Sequence, residues 1–219
     1  MASKAIDFAQ AIIDQEFSKC EGILRKGNVD DWINDRVPKY ELQNHRLSDK
    51  FEWTTVMSVC SRTSPFSMLK ELTTTSASLY NINSNGHSAL TWTCLHKRDT
   101  LEKVKCLLEK DETLLHSTNN QGFSSLHLAS QKGQVEVVKY ILEKGADANH
   151  QTINGTSSLH LAASSNNPAV IAVLFRYGAD LHIRSKHNNT PLHSAALEGS
   201  TDALRTLISF GCDVHNPGQ

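Results

Sequence analysis

Apolar and polar positions in the C-terminal half of the chain recur on two nested periods. Short segments carry apolar residues at helical spacing, and these segments recur in turn at a longer, constant spacing. Leu126, Leu159 and Leu192 mark the register, and His127, His160 and His193 share it, as do Gly145, Gly178 and Gly211. Residues 122–151, 155–184 and 188–217 align without gaps. Each stretch predicts two short helices, for example Ser125–Gln131 and Val135–Glu143, whose apolar faces must be buried against something. Ser124, Ser157 or Thr190 supplies an N-cap oxygen. Pro191 stands at the first helical position, where a missing N–H costs nothing. Gly145, Gly178 and Gly211 suit a helix C-terminus. The turn-rich segment that follows, such as Asp147–Gly155, predicts an extended finger. Gly122 and Gly155 are expected in left-handed backbone at the fingertip, with Asn188 as the substitute in the last stretch.

Upstream the pattern continues in degraded form. Gly86–Leu90 aligns with Gly122–Leu126 at a spacing of 36. Extra residues fall near Lys97–Thr100 and Asp111–Thr113, and the second helix is expected over Leu101–Leu108. Trp92 takes the apolar slot of Leu128 and Leu161, and Thr91 takes the histidine slot. Thr54–Cys60 matches Thr190–Ala196, followed by a helix over Phe66–Leu72. Phe8, Ala11, Phe17, Cys20, Ile23, Leu24 and Gly27 suit the core slots of a further, terminal helix pair. An insertion occupies Asn28–Lys50 and contains Trp32, Pro38 and Tyr40.

The 33-residue period and the hexapeptide Thr190-Pro191-Leu192-His193-Ser194-Ala195 resemble the ankyrin-repeat family over residues 119–217. The resemblance implies an all-α solenoid of stacked helix pairs with short β-hairpin fingers. Six units are expected: about 1–30 as a cap, 50–82, 83–118, 119–151, 152–184 and 185–217, in one continuous domain over 1–219.

Composition narrows the function. The 219 residues carry a formal net charge of −1, which excludes a polybasic nucleic-acid binder as the first reading. Met1–Gln15 forms no signal-peptide apolar core, and no run of about 18 apolar residues occurs. No membrane segment is therefore expected. The five cysteines form no CxxC pair, so neither a disulfide framework nor a zinc ribbon is indicated. An intracellular, cytoplasmic setting is expected.

Eleven histidines invite a metal or acid–base reading. The register answers most of it. The resemblance gives His127, His160 and His193 a structural role, bonding the Ser or Thr of their own motif and nearby backbone. Stacked helices lie about 8–10 Å apart, too far for equivalent imidazoles to share one Zn²⁺ at about 2.0–2.1 Å. His182 and His215 fall in the loop slot of Asn149 and are expected to bond loop backbone. His150, His96 and His187 are expected to be exposed. Cys94, His96 and Asp99 sit close in sequence but lack a convergent pocket, and no P-loop, GxGxxG, HExxH or GxSxG occurs. The expectation is a non-catalytic protein with no cofactor and no metal.

The resemblance places partner contacts on the fingers and the inner ends of the first helices. In the third unit these slots are Asn85, His87, Leu95 and His96. In the fourth they are Gln121, Phe123, Gln131 and Lys132. In the fifth they are Ile153, Asn154, Thr156, Ser164 and Ser165, and in the sixth Lys186, His187, Asn189, Leu197 and Glu198. Phe123 has two readings, an exposed anchor for a partner or a ring packed on a neighbouring finger. The expected partner is another protein, with scaffold, adaptor or substrate-receptor roles. The alternatives are a targeting domain on an enzyme continuing beyond residue 219, and a pathogen effector acting in a host cytoplasm. The last helix keeps Ala203, Leu204, Leu207, Ile208 and Phe210. Self-association or further sequence is therefore expected at the C-terminal edge, because a last repeat needs a polar outer face.

Overall fold

Each repeat begins where a hydroxyl caps a helix. In the computed structural model, which describes residues 11, 36–37, 53–54, 69–70, 73, 79, 82–96 and 100–214, the caps fall where the sequence puts them. Ser88, Ser124, Ser157 and Thr190 stand in extended backbone just before a helix. The helices are α1 (Ala89–Cys94), α2 (Thr100–Lys110), α3 (Ser125–Gln131), α4 (Val135–Glu143), α5 (Ser158–Ser164), α6 (Pro168–Arg176), α7 (Pro191–Leu197) and α8 (Thr201–Ser209). A 3-10 turn over Glu112–His116 follows α2. It accommodates the extra residue expected near Asp111–Thr113.

The chain divides into two compact units, Met1–Ser117 and Thr118–Gln219. In the second, α3, α5 and α7 pack side by side as one layer, and α4, α6 and α8 form the layer behind it. Leu126, Leu159, Ala162, Val138, Ile141, Ile171, Leu174 and Leu207 are buried between the layers. Each large apolar side chain contributes about 1.5–3 kcal/mol of burial. No repeat could collect that alone, because its helices are too short to close a core.

Fingers join the repeats edge to edge. Isolated antiparallel bridges close them at Thr118 with Ser124 and Gln151 with Ser157. Gly122 and Gly155 take φ +81° and +73°, and Asn188 follows at +60°. A Cβ on Gly155 would lie 2.7 Å from the Lys186 backbone nitrogen of the next finger. Close approach therefore requires glycine there, in addition to the positive φ.

In the first unit, α1 packs on α2, burying Leu90, Trp92, Val104, Leu107 and Leu108. Two short strands, β1 (Arg36–Val37) and β2 (Trp53–Thr54), pair antiparallel with Arg36 opposite Thr54. By register Thr54 holds the slot of Ser124 and Ser157, whose bridge partners lie six residues earlier; here the partner lies eighteen earlier. Much of the Asn28–Lys50 insertion thus falls between the two strands of this finger. The helices expected within residues 1–30, the bulk of those at Thr54–Cys60 and Phe66–Leu72, and the insertion apart from Arg36–Val37 lie outside the described residues.

Candidate functional site

The repeated histidine is the hinge of the finger–helix junction. In the fourth unit the Ser124 hydroxyl lies 2.9 Å from His127 Nδ1, and the Ser124 backbone N–H donates to the same nitrogen at 3.3 Å. Because Nδ1 accepts, Nε2 carries the proton and donates to the Thr156 carbonyl at 3.1 Å, in the next finger. His160 repeats this with Ser157 and the Asn189 carbonyl at 2.9 Å. His193 repeats the first half with Thr190 at 2.7 Å. The imidazole plays the part Glu or Gln takes in a capping box, with one further bond across the unit boundary. Burial drives the His127 pKa down to about 4, against a smaller opposing effect of the Thr156 carbonyl. His160 is lowered for the same reason.

This wiring aligns the fingertips. The Ile153 N–H donates to the Gln121 carbonyl at 3.1 Å, and the Lys186 N–H to the Asn154 carbonyl at 3.0 Å. Gln121, Ile153, Asn154, Lys186 and His187 therefore form one exposed ribbon along three fingers. Ile153, 58% exposed, is its apolar point. The inner ends of the first helices border it with exposed Gln131, Ser165, Leu197 and Glu198 and half-exposed Lys132 and Ser164. Thr156 and Asn189 are half-buried, and their carbonyls are taken by the histidines.

Three positions, His87, His96 and His182, come out differently from expectation, and Phe123 takes one of its two readings. His87 is buried, its ring edge-on to Trp92 at 5.9 Å. Trp92 is larger than the Leu it replaces and reaches the finger, so His87 leaves the contact surface. His96 is half-buried, its ring edge-on to the same indole at 5.4 Å. Phe123 is half-buried with its ring edge-on to His127 at 5.9 Å, which favours packing over an exposed anchor. His182 is exposed, and among the described residues its side chain makes no hydrogen bond to loop backbone. The Asn149 amide does so in both directions, to the Gly178 carbonyl at 3.0 Å and from the Asp180 N–H at 2.8 Å. An imidazole cannot offer that pair of groups at one end. His150 is exposed as expected. His215 and Asp99 lie outside the described residues.

Cys94 is fully buried in α1, which removes its thiol from any substrate. Burial also raises the Cys212 thiol to about 11, with the Asp180 carboxylate adding to the effect. Among the described residues no His, Cys, Asp and Glu group is arranged to hold a metal, and no helix is long and apolar enough to cross a membrane.

Two neighbouring residues escaped the sequence reading. Asn166 takes φ +52° in the slot of Gly133 and Gly199. Its side chain accepts the Ala203 N–H at 2.9 Å in the first turn of α8. Asn167 points the opposite way and donates to the Ser130 and Gln131 carbonyls at the end of α3, at 3.2 and 3.3 Å. The pair spans the fourth, fifth and sixth units. The signal was an Asn-Asn dipeptide where the flanking repeats place glycine.

Residues 56–152 and 126–217 match a family model described as ankyrin repeats in three copies. Part of the chain is 36% identical over 74 residues to a palmitoyltransferase, AKR1, of Lachancea kluyveri, covering 34% of this chain and 10% of that protein. It is 45% identical over 56 residues to the serine/threonine-protein kinase VIK of Arabidopsis thaliana, covering 26% and 13%. It is 30% identical over 70 residues to ankyrin repeat and SOCS box protein 3 of Bos taurus, covering 30% and 13%. The chain thus spans only about a tenth of the length of these curated relatives.

Proposed function

The chain belongs to the ankyrin-repeat family, and on that premise we propose that it is a non-catalytic module that grips another protein along its fingertip ribbon. Ankyrin repeats generally mediate protein–protein interaction. The observation that carries the reading is the ladder from Gln121 to Lys186. It holds Gln121, Ile153, Asn154, Lys186 and His187 side by side in fixed register, so a partner meets a preorganised surface. The ribbon mixes one apolar anchor with amides and two basic side chains, which suits a folded protein surface better than a phosphate backbone. Adaptor, scaffold or substrate-receptor roles all use such a surface. The unbridged thiols of Cys106 and Cys212 support an intracellular setting.

A second reading is a targeting module within an enzyme. The palmitoyltransferase and the kinase motivate it, since this chain matches only a small part of each.

Site-directed photo-crosslinking tests the ribbon. A crosslinking residue replaces Lys186 on the ribbon or Lys139 on the exposed face of α4. A partner captured from position 186 and not from 139, and lost on Ile153→Asp, supports the assignment. Equal capture from both positions would overturn it.

A further inference from the structure

The charges of residues 118–214 are sorted by face. Seven carboxylates occur there, and six of them, Glu136, Glu143, Asp147, Asp180, Asp202 and Asp213, stand on the second helices or the loops that leave them. All six are exposed. The fingers and first helices, with the turns that end them, carry only the seventh, Glu198. Those same segments hold Lys132, Arg184 and Lys186. The back holds Lys139, Lys144, Arg176 and Arg205, fewer cations than carboxylates. The finger face is therefore positive and the back negative, although the two signs balance over 118–214 as a whole.

The charges are also spent differently. On the back, Lys139 Nζ lies 3.9 Å from the Glu143 carboxylate, and the Asp202 carboxylate accepts from the Asn166 amide at 3.2 Å. On the finger face, Arg184 turns into its own finger and donates to the Asn188 carbonyl at 2.8 Å. The Lys132 and Lys186 ammonium groups reach neither a carboxylate nor any other acceptor among the described residues. The backbone N–H groups of Asn154 and His187, at exposed fingertip positions, meet no backbone acceptor among them either. Exposed Ile153 lies on the finger between the units that carry the two lysines.

A face rich in unspent donors and nearly empty of carboxylates attracts carboxylates and repels ammonium groups. A phosphate backbone fits it less well. Two free lysines would neutralise two phosphates, whereas nucleic-acid binding rests on several such contacts, and the apolar Ile153 would add nothing to it. Packed helices lie about 8–10 Å apart, so Lys132 and Lys186, two units apart, are separated by about 16–20 Å along the stack. An extended chain rises about 3.3 Å per residue and covers that span in about five or six residues.

We infer that the finger face takes an acidic segment of another protein, with carboxylates meeting Lys132 and Lys186 and an apolar side chain between them on Ile153. This rests on the ribbon being a partner-binding surface and adds the chemistry of the partner.

The test titrates the full chain with three extended peptides of one length, each with a central leucine. The first carries two glutamates about six residues apart, one on either side of the leucine. The second carries glutamine in those places and the third lysine. Amide shifts in NMR spectra locate the binding. The acidic peptide should shift Gln121, Ile153, Asn154, Lys186 and His187, bind at least fivefold more tightly than the glutamine peptide, and weaken as salt is raised. Lys132→Gln combined with Lys186→Gln should weaken it at least fivefold. Glu198→Lys should tighten it, and Lys139→Gln, on the back, should leave it unchanged. Equal binding of the glutamine peptide, or tighter binding of the lysine peptide, at the same residues would overturn the inference and leave the ribbon standing as a binding surface. Shifts confined to α4, α6 and α8 would overturn both. No shift with millimolar acidic peptide would overturn the inference alone, since photo-crosslinking decides the ribbon separately. Displacement of the acidic peptide by a more tightly bound oligouridylate would overturn it in favour of a nucleic acid.

Discussion

Residues 82–117 and 118–214 solve the same junction with different chemistry. In the second region an imidazole sits between a capping hydroxyl and a carbonyl of the next finger. In the first, Thr91 holds that slot, and its hydroxyl donates to the Ser88 carbonyl at 3.1 Å. The Ser88 hydroxyl then pairs with Ser117 at 2.8 Å, and Trp92 meets the rings of both His87 and His96. One solution is directional and links units. The other is a local hydroxyl cluster closed by an aromatic wall. The repeat backbone thus accepts either, provided the cap and the buried volume are kept.

The largest way to break the comparison is to remove an imidazole. His127→Ala takes the imidazole acceptor from the Ser124 N–H, leaves the Thr156 carbonyl only the Thr152 N–H at 3.0 Å, and opens a buried void. A loss of about 3–4 kcal/mol is expected in urea unfolding. Thr91→Ala removes one hydroxyl from a local cluster and should cost about 1 kcal/mol. Similar losses at both sites would erase the distinction.

Acid probes the same contrast. His127 is held neutral in the fold, with its pKa down to about 4, whereas an unfolded histidine titrates near 6.5. Between those values the unfolded chain binds more protons, so stability rises with pH across that window. The contribution is complete above about 6.5 and gone below about 4, and amounts to about 3 kcal/mol for this residue. His160 and His87, both lowered by burial, act in the same direction. Urea midpoints from pH 4 to 7.5 should therefore fall on acidification, and less steeply in His127→Gln. A flat profile would contradict the buried neutral imidazole.

Fingertip packing gives a smaller effect. Gly155→Ala forces a Cβ against the Lys186 backbone at positive φ, and about 2 kcal/mol of destabilisation is expected. Gly178→Ala shares the positive φ but meets open space, so about 1 kcal/mol is expected. Thermal melts of the two variants separate close approach from backbone conformation.

The smallest expected effect is a gain. Ser125 and Ser158 occupy the slot of Pro191, and their buried hydroxyls have no hydrogen-bond partner. Ser124 and Ser157 already hold the extended backbone that a following proline requires, with ψ 172° and 167°. Ser125→Pro and Ser158→Pro should each stabilise by about 0.4–1 kcal/mol. Lower urea midpoints would show that these serines have partners after all.

Most of the second region was legible because its signals are local. The caps, the proline and the fingertip glycines set the bounds of α3 and α4 as expected, Ser125–Gln131 and Val135–Glu143. What failed depended on neighbours in space. His87 read as a fingertip residue because its slot is one in other units; its burial follows from the size of Trp92 across the junction. Phe123 was left between two readings, since nothing in one repeat says which way a ring turns. The fingertip ribbon was legible position by position. The bonds that align it run from the backbone of one finger to that of the next, and no side-chain pattern encodes them.

Asn166 and Asn167 have a mechanical consequence. Pulled from its C-terminal end, a stack of nearest-neighbour units would peel one helix pair at a time. Here the first turn of α8 is tied to the α5–α6 linker, and that linker is tied in turn to the end of α3. Tension on α8 therefore loads the fourth unit before the sixth has come free. The last two helix pairs should yield in a single rip, and Asn167→Ala should split it into two steps.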